Sequence, residues 1–198
     1  GNGFGSGRKG IGLDARSGKM QERNFGDLGN VKPGNYAKCS YAFIDGVFVP
    51  AEGKTKISST DLKATGLPAN GGKVWDMIRN GPVASQFSTS WGGVDYNKPG
   101  RSMIGLHANA GITFDLGAIR EATGIEEMRF NSIAGYGGRT TTPSAEFRVL
   151  LDGKLMNHKR LGRKDAAPID FEIPKDVRFL TLISTDGGNG YSHDQISF

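Results

Sequence analysis

The densest group of chemically capable side chains is Thr185-Asp186-Gly187-Gly188-Asn189-Gly190-Tyr191-Ser192-His193-Asp194. Its carboxylates, amide, phenol and imidazole are planar donors and acceptors of the kind that sugar hydroxyls need. Its glycines let the backbone approach a ligand closely. An aromatic ring such as Tyr191 or Trp91 can stack on the apolar face of a pyranose. The competing reading is an Asp/Asn/Gly turn that satisfies its own backbone. Asp186, Asn189 and Asp194 could also hold a structural Ca²⁺, which takes oxygen ligands, although the spacing is not that of an EF-hand loop. Otherwise no cofactor is required.

Other constellations fail on geometry. Ser192-His193-Asp194 has the letters of a hydrolase triad, but neighbours on an extended chain point to opposite faces, and triad partners must meet side by side. Gly5-Ser6-Gly7-Arg8-Lys9-Gly10 matches G-x-G-x-x-G without the strand before it and the helix after it that dinucleotide binding needs. Gly18-Lys19 lacks the rest of a phosphate loop. His107, His158 and His193 are not at the spacing of a helical zinc pair, and Cys39 is the single cysteine. Glu126-Glu127 reads as a solvated edge, and a glycosidase pair is defined in space and not along the sequence. The chain is therefore expected not to be an enzyme. The net charge is +5, and the one dense basic run, His158-Lys159-Arg160 with Arg163-Lys164, has no interleaved aromatics. It reads as a solvated hairpin tip or loop and argues against nucleic acid. No run approaches the roughly 18 apolar residues of a membrane helix, so no membrane insertion is expected.

The elements that must position these residues are strands. Of 198 residues, 31 are glycine, about twice the usual share, which favours turns and bulges over long helices. Residues 1–35 are glycine-rich without a sustained period and read as an arm or linker lying on whatever follows. Ile44-Asp45-Gly46-Val47 sets apolar residues around Asp-Gly, a strand with a turn or bulge. Leu62 to Gly72 reads as loop. Trp75 and Ile78, at i, i+3, predict a helical turn over Val74–Arg79, ended by Asn80-Gly81-Pro82. Ala118–Thr123 predicts a short helix stopped by Gly124. Ala145, Phe147, Val149 and Leu151 alternate with Glu146 and Arg148, and Asp152-Gly153 follows, a hairpin signal. Ile169–Ile173 alternates cleanly, Phe179–Ser184 is a near-continuous apolar run, and Gln195–Phe198 is the last strand. Such strands predict an all-β fold, a jelly-roll-like β-sandwich with one or two short helical turns. Phe147, Val149, Leu151, Ile169, Phe171, Ile173, Leu180 and Leu182 are expected in its core.

Three blocks stand out: Ile104-Gly105-Leu106-His107-Ala108-Asn109-Ala110-Gly111-Ile112-Thr113-Phe114-Asp115-Leu116, Phe147-Arg148-Val149 with Asp152-Gly153-Lys154, and Phe179-Leu180-Thr181-Leu182 followed by Asp186-Gly187-Gly188-Asn189-Gly190 and His193-Asp194. With them the chain resembles the NPCBM family of carbohydrate-binding modules. The blocks fall in the family's order and cover roughly residues 74–198. Where the family often places Asp-Trp after its His/Asp pair, this chain has Gln195-Ile196. Phe43–Pro50 and Trp75–Pro82 resemble a variant found in large exported bacterial proteins.

The resemblance implies a β-sandwich module, and with the strand pattern from Tyr41 onward the module is expected over residues 36–198, preceded by the 1–35 arm. It implies binding of a glycan or polysaccharide, often galactose-containing, through loops at one end. The expected partners are that glycan and other domains or subunits of a larger exported protein, found in the periplasm, at the cell surface or secreted. The start at Gly1 predicts a processed product or an excised fragment. The alternative is a structural or docking domain of such a protein that binds no sugar. The expected site lies where His107-Ala108-Asn109 meets Asp186–Asp194, using His107, Asn109, Asp186, Asn189, Tyr191, His193 and Asp194, with Trp91, Asp95 and Tyr96 as contributors.

Overall fold

The computed structural model describes residues 11–14, 18–22, 27–30, 32–39, 41–70, 73–75, 77–139, 142 and 145–198. In chain order the strands are β1 (Ile11–Asp14), β2 (Met20–Glu22), β3 (Asp27–Asn30), β4 (Tyr36–Lys38), β5 (Ile44–Phe48), β6 (Gly53–Lys56), β7 (Lys63–Leu67), β8 (Lys73–Trp75), β9 (Met77–Asn80), β10 (Ser90–Trp91), β11 (Val94–Asp95), β12 (Ile104–His107), β13 (Ala110–Asp115), β14 (Met128–Tyr136), β15 (Ala145–Leu151), β16 (Lys154–Leu161), β17 (Ala166–Ile173), β18 (Phe179–Thr185) and β19 (Gln195–Ser197). One helix, α1 (Leu116–Thr123), stands among the described residues. It is too short to cross a membrane.

Two antiparallel sheets, ordered β17-β14-β19-β12-β9-β1-β2 and β16-β15-β18-β13-β5-β4, make the sandwich. One core lies between them, drawing Leu13, Ile78, Leu106, Tyr136, Ile169 and Ile196 from the first and Val47, Ile112, Phe147, Val149 and Leu182 from the second. The residues expected in the core are there, with Phe171 half-buried against it. The alternation in β15 does this work: residues two apart share a face. The near-continuous apolar run of β18 has a second cause. Leu180 and Leu182 face the core, while Ile183 packs on the other face with Phe48, Ile57, Ala64, Leu67 and Leu150. The β6–β7 hairpin thus covers the outer face of the six-stranded sheet, and a strand buried on both faces loses its polar alternation.

Local signals also hold. Asp152 (φ 45°) and Gly153 (φ 82°) are both left-handed, as a two-residue turn matched to strand twist requires. Asp45 is the extra residue of a bulge, because Thr113 pairs with Gly46 and Phe114 with Ile44. Helix α1 ends at Gly124 and begins at Asp115, whose Oδ1 accepts from Ala118 N at 3.0 Å. Arg178 Nη2 donates to Asp115 Oδ2 at 2.9 Å.

Burial pushes the Asp115 carboxyl up, but these donors outweigh it and hold it below its ordinary value. A carboxyl depressed in the fold stabilises above its unfolded pKa of about 3.9, and that stability is lost as pH falls through the folded value. Asp115→Ala should therefore cost about 1 kcal/mol at neutral pH, chiefly the cap, since the half-exposed Arg178 pair adds little. Urea unfolding should show the gap between wild type and variant closing below about pH 4.

Three expectations are corrected. Val74–Arg79 is not a helical turn: β8 and β9 occupy it, and β9 pairs with β12 and β1. Ile78 faces the core while Arg79 is buried on the opposite side of the strand, so sheet pairing overrode the i, i+3 spacing. Leu62 to Gly72 is not all loop, because β7 pairs with β6 and buries Ala64 and Leu67. Of the basic run, His158-Lys159-Arg160 lie along β16, an edge strand, and not in a hairpin tip, while Arg163-Lys164 do occupy the exposed turn that follows it. Exposed basic residues on the edge strand discourage edge-to-edge pairing.

Part of the 1–35 arm is built into the sandwich. β1 pairs with β9, β2 extends the sheet beyond it, and Leu13 is fully buried. The Gly5–Gly10 motif lies outside the described residues.

Candidate functional site

Pairing brings the two expected segments together. β13 pairs with β18 through Ala110 and Ser184, and β12 pairs with β19 through His107 and Gln195. The β12–β13 turn and the β18–β19 loop are therefore neighbours at one end of the sandwich. Asn109 and Asp186 lock them: Asn109 Nδ2 donates to Asp186 Oδ2 at 3.1 Å, and Asp186 N donates to Asn109 Oδ1 at 2.9 Å. Gly188 N donates to Asp186 Oδ1 at 2.9 Å. Ala108 N donates to the Asp194 carbonyl at 2.7 Å, and Tyr136 Oη donates to Asp194 Oδ1 at 3.1 Å. With its amide nitrogen turned inward, Asn189 donates to Asp186 O at 2.7 Å.

Exposure divides this group. His107 is 1 % exposed, and Asn109, Asp186 and Asp194 are 0 % exposed, so these four brace the loop from below. The His107 ring sits between Phe87 and Tyr191, with centroids at 5.4 and 6.3 Å. Asn189, Ser192 and His193 face solvent, and Tyr191 is half-buried. Ser192 Oγ and His193 Nδ1 lie 3.1 Å apart, but Asp194 is buried and bonded to Tyr136, so the three letters do not assemble into a triad. Of the oxygens named for calcium, both of Asp186 and Oδ1 of Asp194 accept from protein donors, and no group of three or more His, Cys, Asp or Glu among the described residues is placed to hold a metal.

Trp91, Asp95 and Tyr96 belong to a different place. Segment 81–103 lies over the outer face of the seven-stranded sheet: Val83 N donates to Gln195 Oε1 at 2.7 Å, and Ser88 N to Gly137 O at 2.8 Å. Trp91 is 4 % exposed. Its Nε1 donates to Tyr136 O at 3.1 Å, and its ring lies on Gly135, where a Cβ would come within 2.3 Å of it. Trp91 thus cannot be an open stacking platform, because its ring is spent on the sheet. Tyr96 packs against it at 6.0 Å. Asp95 Oδ1 accepts from Thr89 Oγ1 at 2.7 Å and Asn97 N at 3.0 Å. The Thr89 hydrogen bond holds the Asp95 carboxyl below its ordinary value.

Beside this hairpin opens a cleft of about 360 Å³, walled by Trp91, Tyr96 and residues 100–103 and floored by β14 and β19. Sequence reasoning missed Arg101, Ser102 and Asn131 here. Asn131 alone left a trace, as an outward polar residue in β14. A second cleft, of about 470 Å³, lies between Glu127–Arg129 and Glu172–Lys175. Ion pairs cross it: Lys175 with Glu127 at 3.8 Å and Arg129 with Glu172 at 3.9 Å.

The NPCBM/NEW2 domain family matches residues 84–198, more than half of the chain. The chain belongs to the NPCBM/NEW2 family. That span holds both the braced loop end and the 360 Å³ cleft. No curated protein sequence matches the chain. Among solved structures, the M60 catalytic domain with the CBM51-1 and CBM51-2 domains of Clostridium perfringens ZmpB is 20% identical, with a TM-score of 0.52 over 96% of this chain and 17% of that one. A CBM51 from C. perfringens GH95 in complex with methyl-galactose is 22% identical, with a TM-score of 0.46 over 58% of this chain and 77% of that one. The tandem CBM51 modules of Sp3GH98, a family 98 glycoside hydrolase from Streptococcus pneumoniae SP3-BS71, are 22% identical, with a TM-score of 0.43 over 56% and 34%. The NPCBM/NEW2 sandwich is thus the architecture seen in the ZmpB structure, of which this chain spans about a sixth.

Proposed function

We propose that the chain is a non-catalytic carbohydrate-binding module of a larger exported protein. Membership of the NPCBM/NEW2 family over residues 84–198 carries the reading. The ZmpB structure, in which two CBM51 domains accompany a catalytic domain, supports a module that serves neighbours in the same polypeptide. At the braced loop end, Asn189, Tyr191 and His193 are the residues that reach a ligand, and His107, Asn109, Asp186 and Asp194 hold them in place. Neutral hydrogen bonds contribute only about 0.5–1.5 kcal/mol each, so a single site binds one sugar weakly and avidity rests with the parent protein.

Glycan-array screening followed by titration of the best saccharide tests this, with methyl-galactose and N-acetylglucosamine as first soluble probes. Binding of a defined saccharide, weakened by Asn189→Ala or His193→Ala in a protein that stays folded, is the expected result. Failure to bind any saccharide near millimolar concentration would leave the structural or docking reading, which the burial of His107, Asn109, Asp186 and Asp194 favours.

Calcium is not needed for this loop, since Asp186 already accepts from Gly188 N and Asn109 Nδ2. Excess EDTA should leave the thermal midpoint unchanged in a melting experiment.

A further inference from the structure

The cleft on the outer face of the seven-stranded sheet shares no lining residue with the braced loop end. Its apolar surface comes from the half-buried Ile133 on the floor and the buried Met103 in the wall. The Tyr96 ring forms a wall, fixed by its packing on Trp91. Arg101, Ser102 and Asn131 stand exposed at the rim. Arg101 is the one charged side chain lining the cleft. No hydrogen bond or ion pair ties its guanidinium, or the hydroxyls of Ser102 and Tyr96, to any described residue. At about 360 Å³ the cleft sits at the small end of ligand pockets, about 300–1,000 Å³, which suits a sugar unit or two.

An aromatic wall and apolar floor match the C–H face of a pyranose, and rim donors match its hydroxyl edge. The guanidinium adds a preference. Its fork of N–H donors pairs bidentately with anionic oxygens, and such bonds are roughly twice as strong as neutral ones. No acidic side chain lines the cleft to compete for it. We propose that this cleft is a saccharide subsite selective for a sugar unit that carries a negative charge. The proposal rests on the carbohydrate-binding reading above and specifies its ligand class.

The test is titration of the full chain, followed by ¹H–¹⁵N NMR, with digalacturonate, galactose 6-sulfate and neutral galactobiose. At low salt the anionic probes should bind about tenfold more tightly than galactobiose, with shifts at Tyr96, Arg101 and Asn131. The two anionic arms separate a carboxylate preference from a sulfate one. Arg101→Gln, at an exposed position, should bring the anionic probes to the neutral level and leave galactobiose unchanged. Tyr96→Ala should weaken all three, and Tyr96→Phe, which keeps the ring, should restore most of the binding. Equal affinities for charged and neutral probes would overturn the proposal, as would an inert Arg101→Gln. Loss of the anionic preference in Lys159→Gln, on the basic edge strand, would also overturn it. If an array saccharide binds while the cleft residues stay silent, the subsite fails and the module reading stands. If wild type binds no saccharide at all, both fall.

Discussion

Leu13→Ala should lower the unfolding free energy by roughly 2–5 kcal/mol, the usual cost of truncating a buried leucine. Leu13 is fully buried in the main core, and its strand pairs Leu13 with Ile78 of β9. Small domains are stable by only about 5–15 kcal/mol, so this one side chain, in a segment whose composition reads as linker, commands a large share. Deleting residues 1–22 should be worse. It removes β1 and β2, exposes the apolar face around Ile78, and leaves the β9 edge unpaired, an invitation to aggregation. Urea unfolding of the point variant and light scattering of the truncation are the measurements. A loss below about 1 kcal/mol for Leu13→Ala would mean that β1 is not part of the folded unit.

Asn109→Ala should destabilise by a comparable amount while His193→Ala barely registers. Removing the Asn109 side chain strips partners from Asp186 Oδ2 and from Asp186 N, both in a fully buried residue. A buried polar group left unsatisfied costs about 1–3 kcal/mol, so two such losses amount to roughly 2–6 kcal/mol. His193 is exposed, and substitutions at such sites usually stay within about 0.5 kcal/mol. Chemical denaturation of the two variants side by side separates a brace from a contact residue. Equal, small effects would show that the loop end does not depend on the Asn109–Asp186 lock. Where Asn109→Ala unfolds the loop, any accompanying loss of sugar binding is indirect, which makes His193→Ala the cleaner probe of function.

Much of the fold was legible because its determinants are local. The Asp152-Gly153 turn, the Asp115 cap and Gly124 end of α1, and the alternation of Phe147, Val149 and Leu151 each depend on a few neighbouring residues. The Val74–Arg79 segment was misread because Trp75 and Ile78 fit a helical face as well as two short strands, and only pairing with β12 and β1 decides between them. The candidate site was legible as a meeting of segments but not as a surface. Its residue types are those of sugar recognition and equally those of a self-satisfied turn, and the sequence carries nothing about which side of each residue is covered.

The sequence by itself determined an all-β chain, the order and turns of its principal strands, the core face of β15, β17 and β18, and the family through the blocks from Ile104 to Asp194. Side-chain period and turn chemistry are short-range properties, so these follow from the residues alone. Only the tertiary structure decided which polar groups face water. Segment 81–103 folds over the seven-stranded sheet and the β6–β7 hairpin over the six-stranded one, and both coverings depend on contacts between distant residues. They bury Trp91 on Gly135, and they leave Tyr96, Arg101 and Asn131 together around a cleft that no stretch of sequence spells out.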